Sequence, residues 1–152
     1  MHRLQRYGLP FALCALLGTA SAQAAVPTIL GYWLEPSGSV IRIAPCALRL
    51  CVEIAALAPG PHPTTDVHNP NEALRSRPLC GLRIGEDFVA RDAQHAEGGR
   101  LYDPRNGRTY QGSMTASADQ LDLRGYVGLK LFGRTATWMR ARFAPASPCG
   151  AG

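Results

Sequence analysis

The chain has 152 residues, 46% of them apolar, and carries 16 Lys and Arg against 11 Asp and Glu for a net charge of +5. That length bounds it to one domain with a modest core. The basic residues are scattered singly, with Lys130 the only lysine, so no stripe matches a phosphate backbone and nucleic acid is excluded as an expected partner.

Residues 1–6 form a short basic start, residues 7–18 an apolar run, and Ala22-Gln23-Ala24 a small-residue cleavage site, so residues 1–24 read as a secretory signal peptide. The apolar run is shorter than the roughly 20 residues a bilayer span needs. No membrane span is therefore expected after cleavage, and the protein is expected to be exported, periplasmic or secreted. Leu13 before Cys14, in place of a small residue, argues against a lipoprotein anchor. Cleavage would remove Arg3 and Arg6, leaving 14 basic against 11 acidic side chains, a net +3. Residues 25–142 are then expected to form a single β-barrel domain, with 143–152 a C-terminal tail.

Four cysteines remain, Cys46, Cys51, Cys80 and Cys149, an even count that fits disulfides in an exported chain. Cys46-x4-Cys51 spans a hairpin bend where the side chains can meet. Cys80 either pairs with Cys149 across a much longer loop or packs as a small hydrophobe beside Leu79 and Leu82. The spacing lacks the paired CxxC of a zinc site, so no metal and no cofactor is expected.

In chain order, residues 29–34 are β-prone and end at the turn cluster Glu35-Pro36-Ser37-Gly38. Residues 39–44 and 48–57 follow as a hairpin, with Leu50, Val52 and Ile54 on one face. Residues 58–78 hold five of the twelve prolines and no alternation, so they read as a long loop with one short helical turn at 71–75. This loop carries the polar cluster Asp66, His68 and Asn69, with His62 upstream. Their spacing matches no metal-ligand template, and turn chemistry is the favoured reading, because Asp and Asn bond their own backbone. Residues 82–90 read as a fourth strand.

From Gly98 onward the chain is an antiparallel meander. Pro104 and Asn106-Gly107 mark a tight turn. From Thr109, polar residues alternate with Tyr110, Gly112, Met114 and Ala116, and Leu121, Leu123 and Val127 keep the same parity. The segment 128–133, Gly-Leu-Lys-Leu-Phe-Gly, is apolar where a turn should be polar. Either it folds inward as a plug over a barrel mouth, or Leu131 and Phe132 stand exposed for a protein or membrane-surface partner.

Several blocks together resemble the bacterial domain-of-unknown-function family 2147. They are Cys46-x4-Cys51, Asp66-x-x-Asn69-Pro70, Leu74-Arg75-x-Arg77-Pro78, Gly98-Gly99-x-x-Tyr102-Asp103-Pro104, Gly107-x-Thr109-Tyr110, Arg124-Gly125-Tyr126-Val127-Gly128, and the run from Leu131 through Trp138 to Arg140. The resemblance implies a small exported bacterial protein of all-β class, an up-and-down meander closing into a lipocalin-like barrel of about eight strands. It implies no catalytic activity. Ala96 and Val52 stand where the family pattern usually has Trp and Gly, and Cys80 and Cys149 are additions to it. Gly31-x-Trp33 with Arg140 or Arg142 is also similar to the lipocalin arrangement, in which a last-strand arginine covers a first-strand tryptophan and closes the barrel.

Three function classes follow. The leading one is a non-catalytic envelope protein holding a small lipophilic ligand, with Tyr102, Tyr110, Met114, Leu123 and Trp138 as the candidate lining; the same residues can instead simply fill the barrel. The second is a surface interaction protein with an envelope protein partner. The third is an enzyme, for which no nucleophile elbow, HExxH or phosphate loop is present, and no catalytic residue is assigned. Asp66, His68, Asn69 and Asp103 are the polar residues that would be tested.

Overall fold

The structure, a computed structural model, describes residues 28–142, 144, 145 and 149. The expected signal peptide and most of the expected tail lie outside the described residues. Eight strands, β1 (Gly31–Leu34), β2 (Val40–Cys46), β3 (Arg49–Ala56), β4 (Arg83–Ala90), β5 (His95–Asp103), β6 (Arg108–Ala116), β7 (Gln120–Tyr126) and β8 (Arg134–Arg140), run in up-and-down order. Each pairs antiparallel with its sequence neighbour, and β8 returns to β1 to close a barrel. Two short 3-10 turns, Glu72–Leu74 and Lys130–Phe132, complete the elements among the described residues. Disulfides join Cys46 to Cys51 at the β2–β3 bend and Cys80 to Cys149, with Cα separations of 5.7 and 5.1 Å.

Strand alternation sets which side chains enter the barrel. On β7, Leu121 and Leu123 point in, while Asp122 points out and accepts a 2.7 Å hydrogen bond from Thr137 Oγ1 of β8. The first strand begins two residues later than its β-prone run, because Ile29 turns inward and its amide bonds the Ala93 carbonyl. Val127 does not continue the inward parity; it follows the end of β7 and is 74% exposed. Nor does 128–133 fold inward, since Leu131 is 79% and Phe132 76% exposed.

The closing seam is short. It pairs only Trp33 with Arg140 and Leu34 with Met139. Side chains reinforce it: the Arg140 guanidinium carbon sits 3.9 Å from the centroid of the fully buried Trp33 ring. The same guanidinium donates to the carbonyls of Leu30 at 3.2 Å, Ala118 at 3.1 Å and Thr28, while Trp33 Nε1 donates to the Ile29 carbonyl at 2.9 Å. Gly31, at φ +116°, lets the backbone pass beneath this guanidinium; a Cβ there would meet it at 3.4 Å. Arg142 is exposed and does not cover the indole.

Trp33, Ile43, Met114 and Leu121 pack the end of the barrel nearest the seam. Beside them lies Phe88, fully buried, whose ring occupies space left by two glycines. A Cβ on Gly99 of β5 would approach that ring to 2.3 Å and one on Gly112 of β6 to 2.7 Å. Gly98, at φ +74°, sits in the β5 bulge that brings Gly99 over the ring.

Gly99→Ala should destabilise by about 1 to 3 kcal/mol through overpacking, read by chemical denaturation. Trp33→Ala should destabilise by about 3 to 5 kcal/mol and Arg140→Ala by less. A double-mutant cycle should show coupling between Trp33 and Arg140, and additivity between Trp33 and Arg142 would be the matching control.

Candidate ligand-binding site

The opposite end of the barrel is not filled. The far ends of the strands, with the 57–82 loop as one wall, surround a cavity of about 1130 Å³. Ile41 of β2, Ile54 of β3, Leu101 of β5, Leu123 of β7 and Trp138 of β8 line its depth, and each is buried. Ala136 shares the inward parity of Trp138 yet is exposed, because it faces the cavity and no neighbouring side chain covers it.

Of the residues expected to line the barrel, Tyr102, Tyr110, Leu123 and Trp138 border this cavity. Met114 does not. It lies farther along β6, 1% exposed, and packs in the closed end because the strand has by then passed the cavity floor. The two tyrosines also differ from each other. Tyr110 faces Leu101 across the β5–β6 ladder, and its hydroxyl accepts from Asn106 Nδ2 at 3.2 Å. Tyr102, one residue off that parity, turns its hydroxyl to the loop and donates to Asp66 Oδ1 at 2.6 Å.

Asp66 is the centre of the loop's attachment. Its carboxylate is 0% exposed and accepts from Tyr102, from Asn69 Nδ2 at 2.7 Å and from Arg77 Nε at 2.8 Å. Arg77 also stacks over the Tyr102 ring, 5.3 Å from its centroid. Backbone bonds Asp66 N to Arg77 O and Leu79 N to Thr64 O zip the two halves of the loop together, and the Cys80–Cys149 bridge lies at its base. Burial by itself would raise the Asp66 carboxyl, but the bonds from Tyr102, Asn69 and Arg77 and the arginine's charge outweigh it and hold the group below the ordinary carboxylate range. The Tyr102 hydroxyl moves up, through burial and then through its bond to the Asp66 carboxylate and that group's charge.

The loop is pressed onto the β5–β6 turn. A Cβ at Gly107, φ +68°, would lie 2.0 Å from the His68 carbonyl oxygen, so only glycine fits that contact. His68 itself is exposed. The His62 ring bonds the carbonyls of Ala58 and Pro63, which favour its protonated form. His62 and Asp66 thus turn to separate partners while His68 is exposed, and among the described residues no group of three or more His, Cys, Asp or Glu is placed to hold a metal. Sequence reasoning had Arg77 only as part of a motif. Its pairing with Asp66 spans eleven positions of a loop without periodicity, and no spacing rule signals it.

Asp66→Ala should therefore release the loop, at about 3 kcal/mol, because it leaves two neutral donors and a partly buried arginine without their acceptor. Hydrogen exchange should rise first in residues 58–78. A carboxyl held low stabilises above its unfolded value, near 3.9, and loses that contribution as pH falls through its folded value. Acid titration should accordingly loosen the loop of the wild type below about pH 4, whereas Asp66→Asn should be loosened already at neutral pH and flat across that window.

No curated protein matches the chain significantly. Among solved structures, a protein from the human pathogen Helicobacter pylori, described as belonging to the lipocalin family, is similar over 77% of this chain and 83% of its own, with a TM-score of 0.64 at 23% identity. That likeness shows the lipocalin-like fold. With the family model matched over residues 31–140, the chain belongs to the bacterial family DUF2147, described as an uncharacterized protein conserved in bacteria.

Proposed function

We propose that the protein is a non-catalytic protein of the bacterial cell envelope that holds one small lipophilic molecule in the mouth of its barrel. The observation that carries this reading is the cavity of about 1130 Å³ with an apolar floor. Ligand pockets occupy about 300 to 1,000 Å³ and combine apolar walls with few polar groups. The apolar lining residues Ile41, Ile54, Leu101, Leu123 and Trp138 are buried, whereas the polar lining residues, Ser39 apart, are at least partly exposed. Export is supported by the signal-peptide pattern of residues 1–24 and by two disulfides. The non-catalytic part is supported by the engagement of Asp66 and Asn69, which spend their hydrogen bonds on anchoring the loop.

Native mass spectrometry of protein purified from the envelope fraction tests the reading, with saturable uptake of a lipophilic fluorescent dye as the second readout. Ala136→Trp is the diagnostic variant. It places an indole in open cavity space, so it should leave the melting temperature nearly unchanged and weaken dye uptake by about tenfold or more. A wild type that carries no small molecule and takes up no dye would refute the proposal.

A further inference from the structure

The segment after β7 displays four large apolar side chains to solvent: Val127 at 74% exposure, Leu129 at 66%, Leu131 at 79% and Phe132 at 76%. It is not a loosely held loop. Its 3-10 turn closes with Phe132 N to Leu129 O and Gly133 N to Lys130 O. Arg124 of β7 clamps it from below, donating through Nε to the Lys130 carbonyl at 2.9 Å and through one terminal nitrogen to the Leu131 carbonyl at 3.0 Å. Gly133 seats the turn against the strand ends, since a Cβ there would lie 2.7 Å from the Gly125 carbonyl oxygen. The backbone is thus fixed with its carbonyls turned to the protein and its apolar side chains turned away from it.

We infer that this loop docks the barrel mouth onto an anionic lipid surface. Apolar side chains on a protruding turn can enter the headgroup boundary singly, without the matching concave surface a protein partner must supply. The charge beside them is of the complementary sign. Lys130 is within the turn and Arg134 follows it, both exposed, and Arg108 stands on the same rim. The acidic groups at that rim are Glu35 and Asp103, and Asp103 is paired with Arg105 at 2.9 Å. Basic residues held near an anionic leaflet add to what apolar insertion supplies. Phe132 and Val127 also border the cavity, so the docked face and the cavity opening coincide. A lipophilic molecule can then pass between bilayer and barrel without crossing bulk water. Docking itself rests on the loop alone and stands or falls independently of ligand uptake.

Vesicle flotation of the full chain tests this, using phosphatidylcholine vesicles with and without about 30% phosphatidylglycerol. Wild type and variants share residues 1–27, so any contribution of that segment cancels in the comparison. Wild type should float with the anionic vesicles, less so as salt is raised. The double variant Leu131→Ser with Phe132→Ser should bind about tenfold more weakly or worse, and Lys130→Glu should weaken binding to the anionic vesicles only. All three side chains are exposed, so melting curves should coincide with wild type; Leu129→Ser provides a second apolar variant should one of these misfold. Equal flotation of wild type and double variant, or no flotation of either, overturns the docking. So does a concentration-dependent dimer in sedimentation that the double variant abolishes, which would assign the loop to a second copy of the chain. Dye uptake retained in a protein that ignores vesicles would sink this inference and leave the ligand-binding reading standing.

Discussion

The contact between Arg140 and Trp33 is the constraint on which the remaining structure depends. A barrel is free of exposed sheet edges only if its first and last strands meet, and here they meet through two residue pairs of a four-residue strand. So short a ladder adds few backbone hydrogen bonds. The guanidinium supplies what the ladder lacks, stacking on the indole for about 0.5 to 2 kcal/mol and tying the carbonyls of Thr28, Leu30 and Ala118 to one side chain. Burial draws the Arg140 pKa down while Asp119 opposes the shift, and an arginine remains charged under either influence. Closure in turn creates the site, because β8 contributes Trp138 and Ala136 to the cavity wall.

Packing is divided unequally along the barrel axis. In the closed part, volume is traded between facing positions: Phe88 fills the space over Gly99 and Gly112, and Val52 stands where Gly85 across the ladder has no side chain. Gly85 opposite explains how the chain accommodates Val52, since a Cβ on Gly85 would come within 2.6 Å of the valine. Toward the mouth the trade is incomplete, although Leu101 still takes up space over Gly112. The inward residues there, Leu101, Leu123 and Ala136, do not reach across the opening.

The fold was largely legible in the sequence, because alternation and turn residues are local signals. Asn106-Gly107 and the runs beside it announced β5, β6 and β7, and the proline-rich composition of residues 58–78 announced a loop. Arg140 and Arg142 share one parity, so the choice between them awaited the β1–β8 register. The candidate site was only half legible. Parity placed Tyr110, Leu123 and Trp138 inward but could not say how deep along the axis each would fall, which is why Met114 belongs to the packed end. Nothing periodic relates Asp66 to Arg77 and Tyr102; their meeting is a product of tertiary closure.

The two loops at the mouth are fixed by opposite devices, and the difference decides what each shows to solvent. In the 58–78 loop a buried carboxylate gathers Tyr102, Asn69 and Arg77, so the polar groups point inward and the loop becomes a wall of the cavity. In the turn after β7 an arginine gathers backbone carbonyls, so the polar groups drawn inward are main-chain ones. The side chains of Leu129, Leu131 and Phe132 are left outside, on a backbone that Gly133 seats against the Gly125 carbonyl. Isolated exposed leucines on a protein surface need no explanation, but four large apolar residues within six positions of a backbone clamped in place do. A turn that merely connected β7 to β8 would be served better by polar residues at each of these positions. The clamp makes sense as a means of keeping apolar side chains on display at the cavity opening, where a lipid surface would meet them.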